Sequence, residues 1–224
     1  MEEEKIISIE ERIPKLKEKR RKKANRTLLF YLTLFFLLIA IIVYLQSPFS
    51  NVAYVAVEGN NVITDEQVIA YSELELDQNI WRMNKKLVEE KIKEHPIVKD
   101  VKAERKLPQT VRITVSEKRI VGYIKEKDYY LPIVNDGVII TNTEIAKPGS
   151  APLFVNFTDE LYLQRFVEEL NQLPTHILKM ISEVHWKPTE HNKYSIVLYM
   201  NDGFIVNATI RDFANKMNTY PSIV

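Results

Sequence analysis

No cysteine occurs in the 224 residues. That excludes disulfide staples, a thiol nucleophile and every zinc site built on thiolates. Any exported domain must therefore stand on its own hydrophobic cores. Glycine is scarce, five in the whole chain, and there is no glycine-rich phosphate loop and no Gly-x-Ser-x-Gly elbow. The four histidines, His95, His176, His185 and His191, give no His-Glu-x-x-His pattern. His185 and His191 stand six apart across a Lys-Pro turn, not four apart on a helix. The carboxylate pairs Glu89-Glu90 and Glu168-Glu169 read as solvated helix faces, and Trp81 and Trp186 as core. No catalytic residue, metal ligand or cofactor is expected, and the chain is not read as an enzyme.

Charge is missing from one stretch altogether. Leu28 to Leu45 reads LLFYLTLFFLLIAIIVYL, eighteen residues without a charge, a proline or a glycine. At about 1.5 Å rise per residue a helix of that length covers roughly 27 Å, close to the hydrocarbon thickness of a bilayer. Fourteen of the eighteen are Leu, Ile, Phe or Val. At about −0.3 to −0.6 kcal/mol each, insertion gains on the order of 6 kcal/mol. A transmembrane helix is expected over 27–46, anchored by Leu28, Phe30, Leu34, Phe36, Leu38, Ile41, Val43 and Leu45. Tyr31 and Tyr44 lie near its ends, where amphipathic rings favour the headgroup level. Nothing later in the chain resembles a second span.

The net charge of +1 conceals an asymmetry. Residues 1–26 hold ten Lys or Arg against six Glu, and the remainder is net acidic. Lys15, Lys17, Lys19, Arg20, Arg21, Lys22, Lys23 and Arg26 crowd before the span, and the next basic residue after it is Arg82. By the positive-inside rule the basic tail is cytoplasmic and everything after Leu45 lies outside. The cluster reads as a topology signal against anionic lipid, at about 1 kcal/mol per Lys or Arg, and not as a nucleic-acid site. The tail itself, polar and highly charged, reads as mostly disordered. A cleaved signal peptide is disfavoured, because the apolar run is too long and no small-x-small site follows.

Beyond the short linker QSPFS, Asn51 to Val57 reads as a strand and Glu58 to Asn61 as a turn. Thr64 with Gln67 makes a capping box that opens a helix to about Ser72, with Val68 and Ile69 inward. Ile80, Trp81 and Met83 are expected as core plugs. Asn84 caps a second helix, Lys85 to Glu94, with Leu87, Val88 and Ile92 as its stripe; His95-Pro96 ends it. Ile97 to Lys106 reads as a strand. Thr110 to Ser116 alternates Val111, Ile113 and Val115 with polar residues, a half-buried strand. The order is β-α-α-β-β, two helices over one face of a three-stranded sheet.

The segments VAYVAVEGNNVIT, NIWRMN and HPIVKDVKAERKLPQTVRITVSEKRIVGYI, 52–64, 79–84 and 95–124, resemble a POTRA (polypeptide-transport-associated) domain. A basic tail, one span and one such domain directly outside resemble the bacterial DivIB/FtsQ cell-division family, and the resemblance covers essentially the whole chain. It implies an α+β protein. Its parts are a tail at 1–26, a span at 27–46, a POTRA domain at 51–118 and a mixed α/β "β domain" with antiparallel hairpins at 119–224.

Within that second domain, Tyr129–Val134 and Val138–Ile140 are expected to form a hairpin about Asn135-Asp136-Gly137. Leu153–Phe157 reads as a strand and Glu160–Leu173 as a helix with Leu163, Phe166, Val167 and Leu170 on one stripe. A short helix and a strand are expected over Ile177–Trp186. Tyr194–Met200 and Phe204–Thr209 form a second hairpin about Asn201-Asp202-Gly203, and Asp212 begins a last helix. Members of the family continue past the position of Val224 into a helical turn and another strand; the sequence is either truncated there or lacks that edge.

The resemblance implies a divisome scaffold at the septum. Its partners would be coiled-coil DivIC/FtsB-like and FtsL-like proteins and the septal peptidoglycan synthase complex. Carried over by position, the partner surface falls on Phe204, Val206, Tyr220, Pro221 and Ile223. The competing expectation is that Tyr220 and Ile223 only pack the last helix on the sheet. Rival functions are a POTRA-type export chaperone, which would bring several POTRA copies and a barrel, and a membrane-anchored hydrolase, which lacks a nucleophile.

Overall fold

The computed structural model describes residues 9–222, with side chains from residue 19 onward. The chain forms two compact units. The first joins Met1–Tyr54 to Glu75–Met83 and Arg105–Thr110, and the second comprises Val55–Leu74, Asn84–Glu104 and Val111–Val224.

In the first unit, helix α1 runs without interruption over Ile9–Gln46. Its part from Lys19 to Gln46 is long and apolar enough to cross a membrane, with none of its most apolar window buried in protein. Residues 9–26 are therefore helical where disorder was expected. Glu, Lys and Arg are good helix formers, and a helix already nucleated by the apolar segment extends through them at little cost. Residues 1–8 lie outside the described residues. Ser47-Pro48 stops the helix. Its last carbonyls are not left open: Ser47 Oγ donates to Tyr44 O (2.9 Å) and Ser50 Oγ to Leu45 O (3.0 Å).

Mostly within the second unit, β1 (Tyr54–Glu58), α2 (Asp65–Ser72), α3 (Lys85–Lys93), β2 (Val98–Lys106) and β3 (Thr110–Glu117) follow the expected order, with sheet order β1-β3-β2. Gly59 turns the chain after β1 at φ +85°, and a Cβ there would strike the Val115 carbonyl oxygen. The capping box at Thr64 and Gln67 and the Asn84 cap both form. Val111, Ile113 and Val115 point into the core with Val68, Val88 and Ile92. Leu87, expected on the α3 stripe, is half exposed, at 50%. A nine-residue helix has room for one narrow seam, and Val88 with Ile92 at i, i+4 fills it.

His95 is fully buried between α3 and β2, with Nδ1 accepting the Ile97 N–H (3.3 Å) and Tyr71 edge-on at 5.0 Å. Its Nε2 has no partner. Burial pushes its pKa below the ordinary 6.5, against a weaker opposing pull from Glu117. A base with a depressed folded pKa binds fewer protons folded than unfolded. Its contribution is thus complete above the ordinary value and is lost as pH falls through the folded one. The urea midpoint of the β1–β3 domain should drop between pH 7.5 and 5.5, and His95→Leu should flatten that dependence.

The remainder forms a six-stranded sheet in the order β5-β4-β6-β7-β8-β9. The strands are β4 (Ile120–Glu126), β5 (Tyr129–Val134), β6 (Leu153–Val155), β7 (Ile181–Trp186), β8 (Ser195–Met200) and β9 (Ile205–Thr209). β6 runs parallel to both β4 and β7, and the other pairs are antiparallel. The connection from β6 to β7 carries α4 (Glu160–Asn171) and α5 (Thr175–Leu178), and α6 (Phe213–Asn218) follows β9.

Leu163, Phe166, Val167 and Leu170 of α4 pack with Phe213, Ala214 and Met217 of α6 on the sheet in one core. Trp186 is in that core, its Nε1 donating to Lys193 O (2.8 Å). The hairpin about Asn135-Asp136-Gly137 is weaker than expected. Val138–Ile140 makes only the bridge Ile133↔Ile139 and is not a strand. Val134 N–H reaches Val138 O and Ile140 N–H reaches Pro132 O, but Pro132 has no N–H to return. The ladder of β5 is made with β4 instead, across the turn at Lys127-Asp128.

A candidate partner-docking edge

β9 pairs with β8 on one side and with no described strand on the other. Met200 N–H donates to Phe204 O (2.9 Å) and Ile210 N–H to Tyr194 O (2.9 Å). In an antiparallel ladder, residues that face inward alternate with residues that face outward. Given the register Leu198↔Val206 and Ile196↔Ala208, the N–H and C=O of Ile205, Asn207 and Thr209 point away from the sheet. They form a row of donors and acceptors with the spacing of a strand, and an extended chain could pair with it.

Along β9 the side chains divide by the same period: Val206 and Ala208 pack on the core, while Ile205 is exposed (60%). Phe204 (55%) is exposed because it lies at the turn before the strand. Beside the open edge lies a groove of about 400 Å³ whose walls include Val206, Ala208, Phe213, Lys216, Met217 and Tyr220. An added strand would thus offer alternate side chains to an apolar trough floored by the sheet and flanked by α6.

The five proposed partner residues fall differently. Phe204 stands exposed at the β8–β9 turn, Val206 is half-buried at the groove, and Pro221 is exposed. Tyr220 is buried, at 7%, and its hydroxyl donates to Asp202 Oδ2 (2.8 Å) in the β8–β9 turn. Burial first, and the Asp202 bond and charge after it, push its pKa up and keep it a neutral donor. It ties the segment after α6 to that turn and lines the groove. Ile223 lies outside the described residues.

Phe213, Lys216 and Met217 were missed from the sequence. The apolar i, i+4 pair in DFANKMNTY is the signal that would have found them. Asp212 precedes α6 with a positive φ of 55° and no side-chain cap, and Glu169 Oε2 accepts the Ala214 N–H (2.9 Å) in its place.

That bond corrects the reading of the carboxylate pairs. Glu168 and Glu90 are exposed, as expected of a solvated face. Glu169 and Glu89 are half-buried, and Glu89 Oε1 accepts the Ala103 N–H (2.8 Å) on edge strand β2. One member of each pair thus satisfies a backbone donor on another element. Trp81 is also not a core plug. It is 42% exposed, with Arg105 stacked 5.8 Å from its ring centroid, whereas Ile80 and Met83 are buried. The histidines are dispersed: His185 pairs with Glu183 (2.6 Å), and His176 and His191 are exposed. Among the described residues no three metal-ligating side chains come together.

Comparison with known proteins fits this architecture. Residues 50–118 match the family model of the FtsQ-type POTRA domain, and 122–224 match that of the FtsQ/DivIB C-terminal region. The cell division protein DivIB of Geobacillus kaustophilus is 39% identical over all of this chain and 86% of its own length. That of Bacillus subtilis is 36% identical over 99% of this chain and 84% of its own. The solved major extracytoplasmic domain of DivIB from Geobacillus stearothermophilus is 34% identical, with a TM-score of 0.44, over 48% of this chain and 92% of that one. The chain is a single-pass membrane protein and belongs to the DivIB/FtsQ family of bacterial cell-division proteins.

Proposed function

We propose that the chain is a non-enzymatic scaffold of the division complex. Its basic N-terminus lies in the cytoplasm and its folded domains lie outside the cytoplasmic membrane at the septum. There it binds and stabilises other membrane division proteins. Family membership and the charge asymmetry about the span support this reading. The observation that carries it is the open β9 edge beside an apolar groove. Main-chain bonds to Ile205, Asn207 and Thr209 would supply affinity, and the groove would select side chains. The span adds tethering: partners held in the same membrane meet this edge at a raised effective concentration.

Photo-crosslinking in dividing cells tests the proposal, with a benzoylphenylalanine placed at Asn207 and, as control, at Asp128 in the β4–β5 turn. Position 207 should capture membrane proteins with a coiled-coil segment of the kind the family's partners carry, and position 128 should not. Equal capture at both positions, or capture only of secreted unfolded chains at 207, would rule out the edge as the docking site.

A further inference from the structure

Ten large apolar side chains outside the span are exposed among the described residues. Five of them, Phe49, Tyr54, Leu76, Trp81 and Leu107, fall in three short segments of the first unit: the stretch after α1, Glu75–Met83 and Arg105–Thr110. So small a share of the chain would not hold half of them if exposed apolar residues were scattered.

The same segments are bound to the end of the span. Asn79 Nδ2 donates to Leu45 O (2.7 Å) and to Ser50 Oγ (2.8 Å), while Asn79 Oδ1 accepts the Trp81 N–H (3.0 Å). Ile80 N–H reaches Ser50 O (2.8 Å), and Gln109 Nε2 reaches Pro48 O (3.1 Å). Leu45 is the last residue of the apolar run, so its carbonyl sits where hydrocarbon gives way to headgroups. Anything one hydrogen bond from it sits at that depth too.

A cavity of about 940 Å³ opens there, lined among others by Leu45, Asn51, Asp77, Asn79, Trp81 and Arg82. It combines an indole, an aliphatic side chain, a guanidinium and a carboxylate. A Trp ring and a guanidinium beside an aliphatic side chain suit the boundary between headgroups and acyl chains.

We propose that these three segments form a foot that beds in the headgroup layer of the leaflet from which Leu45 emerges, with phospholipid as the occupant of the cavity beside Trp81. Continuity with the span selects lipid over a soluble partner. The inference rests on the reading of α1 as a span and is independent of which side the domains face.

The absence of cysteine makes the test direct. Single substitutions Leu76→Cys, Leu107→Cys and, as control, the exposed Leu87→Cys are spin-labelled in the full chain and placed in phospholipid nanodiscs. The ratio of collisions with oxygen to collisions with a polar nickel chelate should be several-fold higher at 76 and 107 than at 87. Native Trp81, in a Trp186→Phe background, should be quenched by lipids brominated high on the acyl chain. Free access of the nickel chelate at 76 and 107 overturns the foot. So does a Trp81 quenched by neither brominated lipid nor aqueous iodide, since protein would then be covering it. A chain that fails to enter nanodiscs overturns the span itself, and the foot with it.

Discussion

Phe166→Ala is expected to lower the stability of the six-stranded domain by about 3–5 kcal/mol, the range for emptying a fully buried aromatic site. Phe166 is completely buried on α4. Its ring lies 5.4 Å from Phe154, 5.7 Å from Phe157 and 5.1 Å from Phe213. These four rings join a core strand, the loop after it, α4 and α6, so no single neighbour can slide in to fill the void. Against a domain stability of about 5–15 kcal/mol the loss is a large fraction. The core cluster to which Phe166 belongs holds no residue before Val121, so the β1–β3 domain should keep its own transition.

Trp186, stacked 6.1 Å from Phe157 in that core, reports the six-stranded domain alone in a Trp81→Phe background. Its emission should shift to the red at a clearly lower urea concentration in the variant. An unchanged midpoint would mean that α4 is not held by this cluster. Phe213 also lines the groove beside β9, so the substitution should weaken capture at Asn207 as well.

Much of this was readable because local chemistry and global fold agree. Thr64 with Gln67, Asn84 before Lys85 and the Val111-Ile113-Val115 alternation each specify one structure by themselves, and each formed. The sequence failed where the deciding partner lay far along the chain. Trp81 looked like core because it is large and apolar, yet its surroundings are set by Asn79 bonding back to Leu45. Glu89 and Glu169 looked solvated because helical position alone cannot show that Ala103 and Ala214 would each present an N–H to them. The β4–β5 hairpin was missed because Lys127-Asp128 lacks the Asn-Gly or Asp-Gly signature. Asn135-Asp136-Gly137 has that signature, yet a proline inside β5 spoils its ladder. At the candidate edge, the strand and its turn could be read from the pattern. The groove could not, since α6 contributes one wall of it, through Phe213, Lys216 and Met217, and its packing is tertiary.

The second large effect should come from a single carboxylate. Glu117, at the end of β3, uses Oε1 to accept three successive backbone N–H groups, from Asn61 (2.8 Å), Val62 (2.8 Å) and Ile63 (3.0 Å). Such a run of N–H groups forms a nest suited to an anion, and this one leads directly to the Thr64 cap of α2. Glu117→Ala leaves all three donors without that acceptor. Charge-assisted bonds are worth about 1.5–3 kcal/mol apiece. They share one oxygen and the Asn61 end is exposed, so the sum is not additive, and a net loss of about 3 kcal/mol is expected.

Glu117→Gln separates shape from charge. It keeps an acceptor of the same reach and loses the negative charge, so it should forfeit about half as much. Amide exchange at Ile63 is the direct readout, since that side chain is buried and its N–H is one of the three. Protection should collapse in the alanine variant, persist in part in the glutamine variant and stay unchanged at Leu198, in the other sheet. If glutamine cost as much as alanine, the charge would be the deciding element. If neither variant altered Ile63 exchange or the urea midpoint, the turn from β1 into α2 would be held by Gly59 and the capping box alone.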